Sequence, residues 1–81
     1  MIVKPCSTKG AYNAIPEKEM KVNFKEVEKI KELEMVTFTP YLVVVKIDEV
    51  ELVIYPSGKL LIKTNDKKVA EKIANRVYGL I

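Results

Sequence analysis

Between residues 41 and 64 the side chains alternate in character every second position. That is the period of a β-strand, whose successive residues face opposite sides of a sheet. Two turn signals cut the run into strands. Asp48-Glu49 is a tight turn. Pro56-Ser57-Gly58 is a bulged three-residue hairpin loop, with Pro presetting the first corner and Gly taking the left-handed residue. Alternation then sorts the strand residues into two sets. Val43, Val45, Ile47, Leu52, Ile54, Leu60 and Ile62 are uniformly aliphatic, so their face must be buried. Leu42, Val44, Lys46, Glu51, Val53, Tyr55, Leu61 and Lys63 form the other face, and five of these eight are apolar or aromatic. A sheet face left to water is mostly polar. This one is not.

The remaining elements follow from local signals. Val36-Thr37-Phe38 is β-rich and stops at Pro40, a residue confined to edges, bulges and strand starts. With strands at 41–47, 50–55 and 59–64 it makes a four-stranded antiparallel meander, because the links are short. Ahead of it lies a helix over 24–34: Asn23 is the N-cap, Glu26 gives capping-box spacing, and Val27, Ile30 and Leu33 recur at helical intervals. Behind it lies a helix over about 66–79, capped by Asn65 or Asp66, with Val69, Ala70, Ile73, Ala74 and Val77 as its apolar stripe. Residues 1–21 are punctuated by Pro5, Ser7, Thr8, Gly10, Asn13 and Pro16, and read as loops with one strand at 1–4 or 10–15. Pro16, with Glu17 and Glu19 after it, suits a single helical turn. The expected architecture is α+β: one domain over 1–81, with two helices on the aliphatic face and an irregular opening segment. No third layer is left for the second face unless the opening segment folds across it.

Composition narrows the function classes. The chain has no histidine, so Ser-His and Cys-His pairs and the usual zinc ligand sets are out of reach. One cysteine, Cys6, neither closes an internal disulfide nor holds an iron-sulfur cluster alone. The expectation is a non-enzyme with no metal, cofactor or small-molecule substrate. No apolar run approaches the roughly 20 residues of a membrane span, and the opening Met1-Ile2-Val3-Lys4-Pro5 lacks a signal-peptide layout. A reduced, cytoplasmic protein with no membrane partner is expected. Fourteen basic against eleven acidic residues give a net charge of +3, a mild bias that accommodates an anionic partner.

Lesser motifs carry less. Cys6-Ser7-Thr8-Lys9-Gly10 has a faint likeness to a phosphate loop without the G-x-x-x-x-G-K order. Lys4 and Lys9 beside Cys6 would favour its thiolate. Lys67, Lys68, Lys72 and Arg76 put four bases on the last helix, a solvated face in the ordinary case and a phosphate contact in the other. Asp48 and Glu49 sit in a turn, and nothing arranges them as an acid/base pair.

The stretch Ile54-Tyr55-Pro56-Ser57-Gly58-Lys59-Leu60-Leu61-Ile62 resembles the I-F-x-S-G-K hairpin of the TATA-box-binding protein family. Val22-Asn23-Phe24-Lys25-Glu26-Val27 is similar to the start of that family's first long helix, and Thr39-Pro40-Tyr41-Leu42-Val43-Val44 to its F-P-G-L segment. The order helix, four strands, helix agrees over about 22–80. The resemblance implies a curved sheet with helices on its convex side, half of the family's two-repeat saddle. Its concave face would lie in a widened DNA minor groove, with apolar side chains on base edges and phenylalanines wedged into base steps. By position, Tyr55 matches one wedge phenylalanine and either Phe38 or Thr39 the other; Val53 and Leu61 match groove-floor contacts. Lys63 falls where the family usually has threonine, and Asn13 lies near, but offset from, an asparagine on the family's first strand. With length for one repeat only, this chain would complete a saddle as a homodimer.

The resulting expectation is a DNA- or other nucleic-acid-binding protein. Its sheet face would pack Val44, Val53, Tyr55 and Leu61 on the ligand, with Phe38 as a second wedge. Lys46, Lys59 and Lys63 would meet phosphates, since apolar insertion with basic flanks is an established minor-groove strategy. The alternative is a protein-interaction module whose greasy face is covered by a second copy or another protein, since exposed apolar patches mark such surfaces. Lone Val and Leu residues also sit on sheets for propensity alone.

Overall fold

The computed structural model describes residues 1–5, 10–18 and 20–81. In chain order its elements are β1 (Ile2–Pro5), β2 (Tyr12–Ile15), α1 (Phe24–Glu28), β3 (Glu34–Phe38), β4 (Val43–Ile47), β5 (Val50–Ile54), β6 (Leu60–Ile62) and α2 (Lys67–Leu80). The strands form one six-stranded sheet in the order β1-β2-β6-β5-β4-β3, and every pairing is antiparallel.

Both hairpins of the alternating run close by the turns their residues signal. Asp48 and Glu49 have φ of 50° and 66°, the two left-handed corners that match the twist of a two-residue hairpin. At the other end Gly58 has φ +91°. Its N–H donates to Tyr55 O at 2.9 Å, and Tyr55 N–H donates to Lys59 O at 2.9 Å, closing the bulged loop. The seven aliphatic residues of the first set are all buried, none more than 3% exposed. From the other layer, Val27 and Leu33 and then Ala70, Ile73, Ala74 and Val77 of α2 join the same cluster. Both helices therefore lie on one side of the sheet, and a single core runs from Ala14 to Val77.

Three features depart from the sequence reading. First, the opening segment supplies two strands, not one, and they pair side by side beyond β6. Six strands replace the expected four or five. The reason is backbone satisfaction: without β2, β6 would be an edge with a row of unpaired N–H and C=O groups. Ala14, opposite Leu60, is fully buried, so β2 also extends the core. The segment widens the sheet and does not fold across it.

Second, the first helix stops at Glu28 and does not reach residue 34. Asn23 caps it, its side chain accepting from Lys25 N–H at 3.0 Å. From Lys29 onward the bonds tighten to a three-residue span, with Lys29 N–H to Glu26 O, Ile30 N–H to Val27 O, and Leu33 N–H to Ile30 O. Glu34 already pairs with Lys46 in the sheet, so the chain must turn in five residues while burying Leu33. Tertiary pairing overrides helix propensity here. Third, β3 begins two residues early, at Glu34, and carries a register shift between Met35 and Thr37. The second helix runs Lys67–Leu80 with Asp66 as cap, accepting from Lys68 N–H at 2.9 Å and Val69 N–H at 3.4 Å.

Candidate nucleic-acid interface

Side chains directly opposite each other in antiparallel strands share a face, so the register defines the surface opposite the helices. One transverse row crosses the whole sheet: Lys4 opposite Asn13, Asn13 opposite Leu61, Leu61 opposite Val53, Val53 opposite Val44, and Val44 opposite Thr37. Its centre is apolar and its ends are polar. Val53 is only 7% exposed although it lies outside the main core cluster. Its cross-strand neighbours are Val44 and Leu61. Leu61 and Val44 are half-buried.

Charged side chains flank this strip. On one side Lys46 stands opposite both Glu34 and Glu51, and Lys63 Nζ lies 3.1 Å from Glu51 Oε1. The pair is exposed, and such pairs contribute about 0–1 kcal/mol. On the other side Lys59 Nζ sits 5.7 Å from the centroid of the Tyr55 ring, a cation–π contact that holds both side chains together. Four lysines on this face (4, 46, 59 and 63) face two glutamates (34 and 51). The surface so carries two of the three net positive charges of the chain.

Seven of the eight residues the sequence picks out come together on this face: Val44, Lys46, Val53, Tyr55, Lys59, Leu61 and Lys63. Phe38 does not join them. It stands opposite Val43, whose side chain is fully buried on the helix side, and its ring meets that of Phe24 edge-on at 6.2 Å between centroids. The cause is the bulge. Val36 is the extra residue between Met35 and Thr37, and one inserted residue flips every later side chain to the opposite face. Thr37 takes the seat opposite Val44 instead. The other wedge candidate, Thr39, is bound into the β3–β4 turn: its Oγ1 accepts from Tyr41 N–H at 3.2 Å and Leu42 N–H at 3.0 Å, and donates to Leu42 O at 2.8 Å.

The sequence reading left Lys4 and Thr37 out of the site and Asn13 beside it. For Asn13 the signal is short: the polar Asn13 sits between Tyr12 and Ala14, and pairing β2 to β6 brings it beside Leu61. Of the minor motifs, Arg76 Nη1 lies 2.7 Å from Asp48 Oδ2, which ties α2 to the β4–β5 turn. Cys6, Lys9 and the loop likeness around them fall outside the described residues. Two hollows of about 380 and 440 Å³ lie on the helix side, on either flank of Met20. No helix among the described residues is long and apolar enough to cross a membrane.

Comparison with family models, with curated proteins and with solved structures gives no match.

Proposed function

We propose that this chain binds nucleic acid, duplex DNA through its minor groove, on the open sheet face and as a homodimer. The observation that carries the reading is the transverse row: an apolar strip of Leu61, Val53 and Val44, ended by Asn13 and Lys4 on one side and Thr37 on the other. Apolar side chains pack on base edges without asking for a hydrogen bond. Amide and hydroxyl groups at the ends can meet the A N3 and T O2 acceptors of the groove floor. Lys46, Lys59, Lys63 and Lys4 stand where the phosphates of a widened groove would run. The order α1, β3 to β6, α2 is the one the resemblance to the TATA-box-binding protein family implies, and helices on one side with a free face on the other suit the same docking. With Phe38 turned to the helix side, Tyr55 is the aromatic left to wedge a base step.

A protein partner is the competing reading. It is favoured by Glu34 and Glu51 on the same face, which repel phosphates, and by Val36, Phe38 and Tyr41, exposed by 51%, 46% and 79% along the β3 edge and its turn. Titration of labelled A·T-rich duplex across a salt series separates the two. Each phosphate contact contributes about 0.9 to the slope of log K against log salt, so four lysines give a slope of roughly −3.5 per protomer. Leu61→Glu abolishes this binding and keeps the folded circular-dichroism spectrum, because Leu61 is half-buried on the free face. Absent or salt-insensitive binding to A·T-rich duplex, RNA–DNA hybrid and single strands alike refutes the proposal. So does a tight dimer in light scattering whose interface consumes Val44, Val53 and Leu61.

A further inference from the structure

We infer that Tyr78, on the helix side of the sheet, is a positioning residue for the Tyr55–Lys59 pair on the open face; the inference rests on the nucleic-acid reading for its functional consequence, and on geometry for the rest. Tyr78 lies in the last turn of α2. Its hydroxyl is 2.6 Å from Gly58 O and 3.2 Å from Ala14 O. One O–H has one proton to donate, and the shorter, better contact takes it. The acceptor is the carbonyl of the one residue in the β5–β6 hairpin with a left-handed backbone, φ +91°.

That carbonyl matters because glycine has no side chain to hold its own peptide. Gly58 lacks the steric limits that confine other residues, so neighbours must fix the orientation of the peptide leading to Lys59. Two groups do so from the helix side, and a third steadies the loop ahead of it. Tyr78 O–H donates to Gly58 O. The Met20 side chain fills the space below, where a Cβ on Gly58 would meet Met20 Cγ at 2.3 Å. Val22 N–H donates to Pro56 O at 2.9 Å. Lys59 follows Gly58 directly, and its Nζ reaches the Tyr55 ring at 5.7 Å from the centroid. Lys59 O is anchored by Tyr55 N–H at 2.9 Å, so rotation of the Gly58 peptide would pivot Lys59 about that bond and re-aim its side chain away from the ring. The Tyr78 hydroxyl thus reaches through the hairpin to aim a lysine and a tyrosine on the far face, so that both enter a ligand already placed.

The test pairs a nuclear magnetic resonance readout with a salt titration in the full chain, using Tyr78→Phe, Lys59→Ala and the double variant. Phe keeps the ring packed and removes only the hydroxyl. In Tyr78→Phe the ring-current shift of the Lys59 side-chain protons collapses toward the free-lysine position, while the amide spectrum stays dispersed. On A·T-rich duplex the salt slope falls by about 0.9 per protomer, the loss of one phosphate contact. Lys59→Ala gives the same loss, and the double variant loses no more. An unchanged Lys59 shift in Tyr78→Phe overturns the inference whatever the duplex does. A collapsed shift with a wild-type slope, or a double variant that loses about twice as much as either single, overturns it as well. If the wild-type chain binds no duplex, the proposed function fails and the positioning claim is decided by the Lys59 shift alone.

Discussion

The β4–β5 turn offers a substitution whose expected sign is stabilising. Asp48 and Glu49 hold φ of 50° and 66° between the paired residues Ile47 and Val50. For an L-residue other than glycine the left-handed region costs about 1–2 kcal/mol. Asp tolerates it best, because a short polar side chain can bond locally, and Asp48 also accepts from Arg76 Nη1 at 2.7 Å. Glu49 has neither excuse: its side chain is long, and it is exposed. Glycine at 49 removes the steric cost but adds about 0.5–1 kcal/mol of unfolded-state entropy to be lost on folding. The difference leaves Glu49→Gly more stable by roughly 0.5–1 kcal/mol, a rise in Tm of about 2–8 °C for a domain this size. Urea and thermal unfolding followed by circular dichroism read it directly. Asp48→Gly gains less, because it also gives up the exposed Arg76 pair, worth about 0–1 kcal/mol. A fall in the urea midpoint for Glu49→Gly, or a larger gain for Asp48→Gly, refutes the argument that backbone strain dominates this turn.

Two further outcomes follow from the other hairpin and its tether. Gly58→Ala combines a φ of +91° with a Cβ placed 2.3 Å from Met20 Cγ and 2.5 Å from its Sδ, and denaturant unfolding should show a loss of about 2–4 kcal/mol; a loss below about 1 kcal/mol would mean the loop re-forms with another turn. Burial pushes the Tyr78 hydroxyl up to about 12 from 10.0. The folded pKa thus exceeds the unfolded one, and the unfolded chain gives up its proton first. The neutral form's contribution is fully present below pH 10 and lost as pH rises through about 12. The stability gap between wild type and Tyr78→Phe should therefore shrink over that window and stay flat from pH 7 to 9; a gap that does not move between 10 and 12 contradicts the assigned burial.

The parts of the fold legible in the sequence are those where a local pattern and the tertiary demand agree. The run from Val43 to Ile62 is an example: period-two alternation, two turn signals and a uniform aliphatic set all specify the same pairing, and each of those aliphatic residues is buried. The α2 stripe of Ala70, Ile73, Ala74 and Val77 is another. What escaped was decided by partners distant in sequence. The opening segment reads as one strand at 1–4 or 10–15, and both form because Ile2–Pro5 pairs with Tyr12–Ile15, which pairs in turn with β6. The tightened turns at 29–33 are locally helical in composition. They are pulled out of the helix because Glu34 is already committed to Lys46. Phe38 illustrates the sharpest limit: alternation assigns a face only if the count of residues is uninterrupted, and a single bulged Val36 is invisible to it.

The addition of β1 and β2 also changes the character of the candidate surface. In a four-stranded meander the apolar row would run off the sheet at Leu61, beside a bare edge. With β2 paired to β6, the row ends in Asn13 and Lys4, and on the other flank in Thr37. The apolar part of this row spans β4, β5 and β6, about 10 Å between its outer strands at the usual spacing, while Ile2 and Ile15, paired with each other two positions along β1 and β2, add apolar surface on the same face. The minor groove of B-form DNA is only about 6 Å wide, so a strip of that breadth meets base edges only if the groove is opened and the duplex bent. Deformation energy depends on sequence, least at flexible pyrimidine–purine steps. On the proposed reading, preference for T-A steps thus arises from the breadth of Leu61, Val53 and Val44 taken together, at positions where no side chain need read a base.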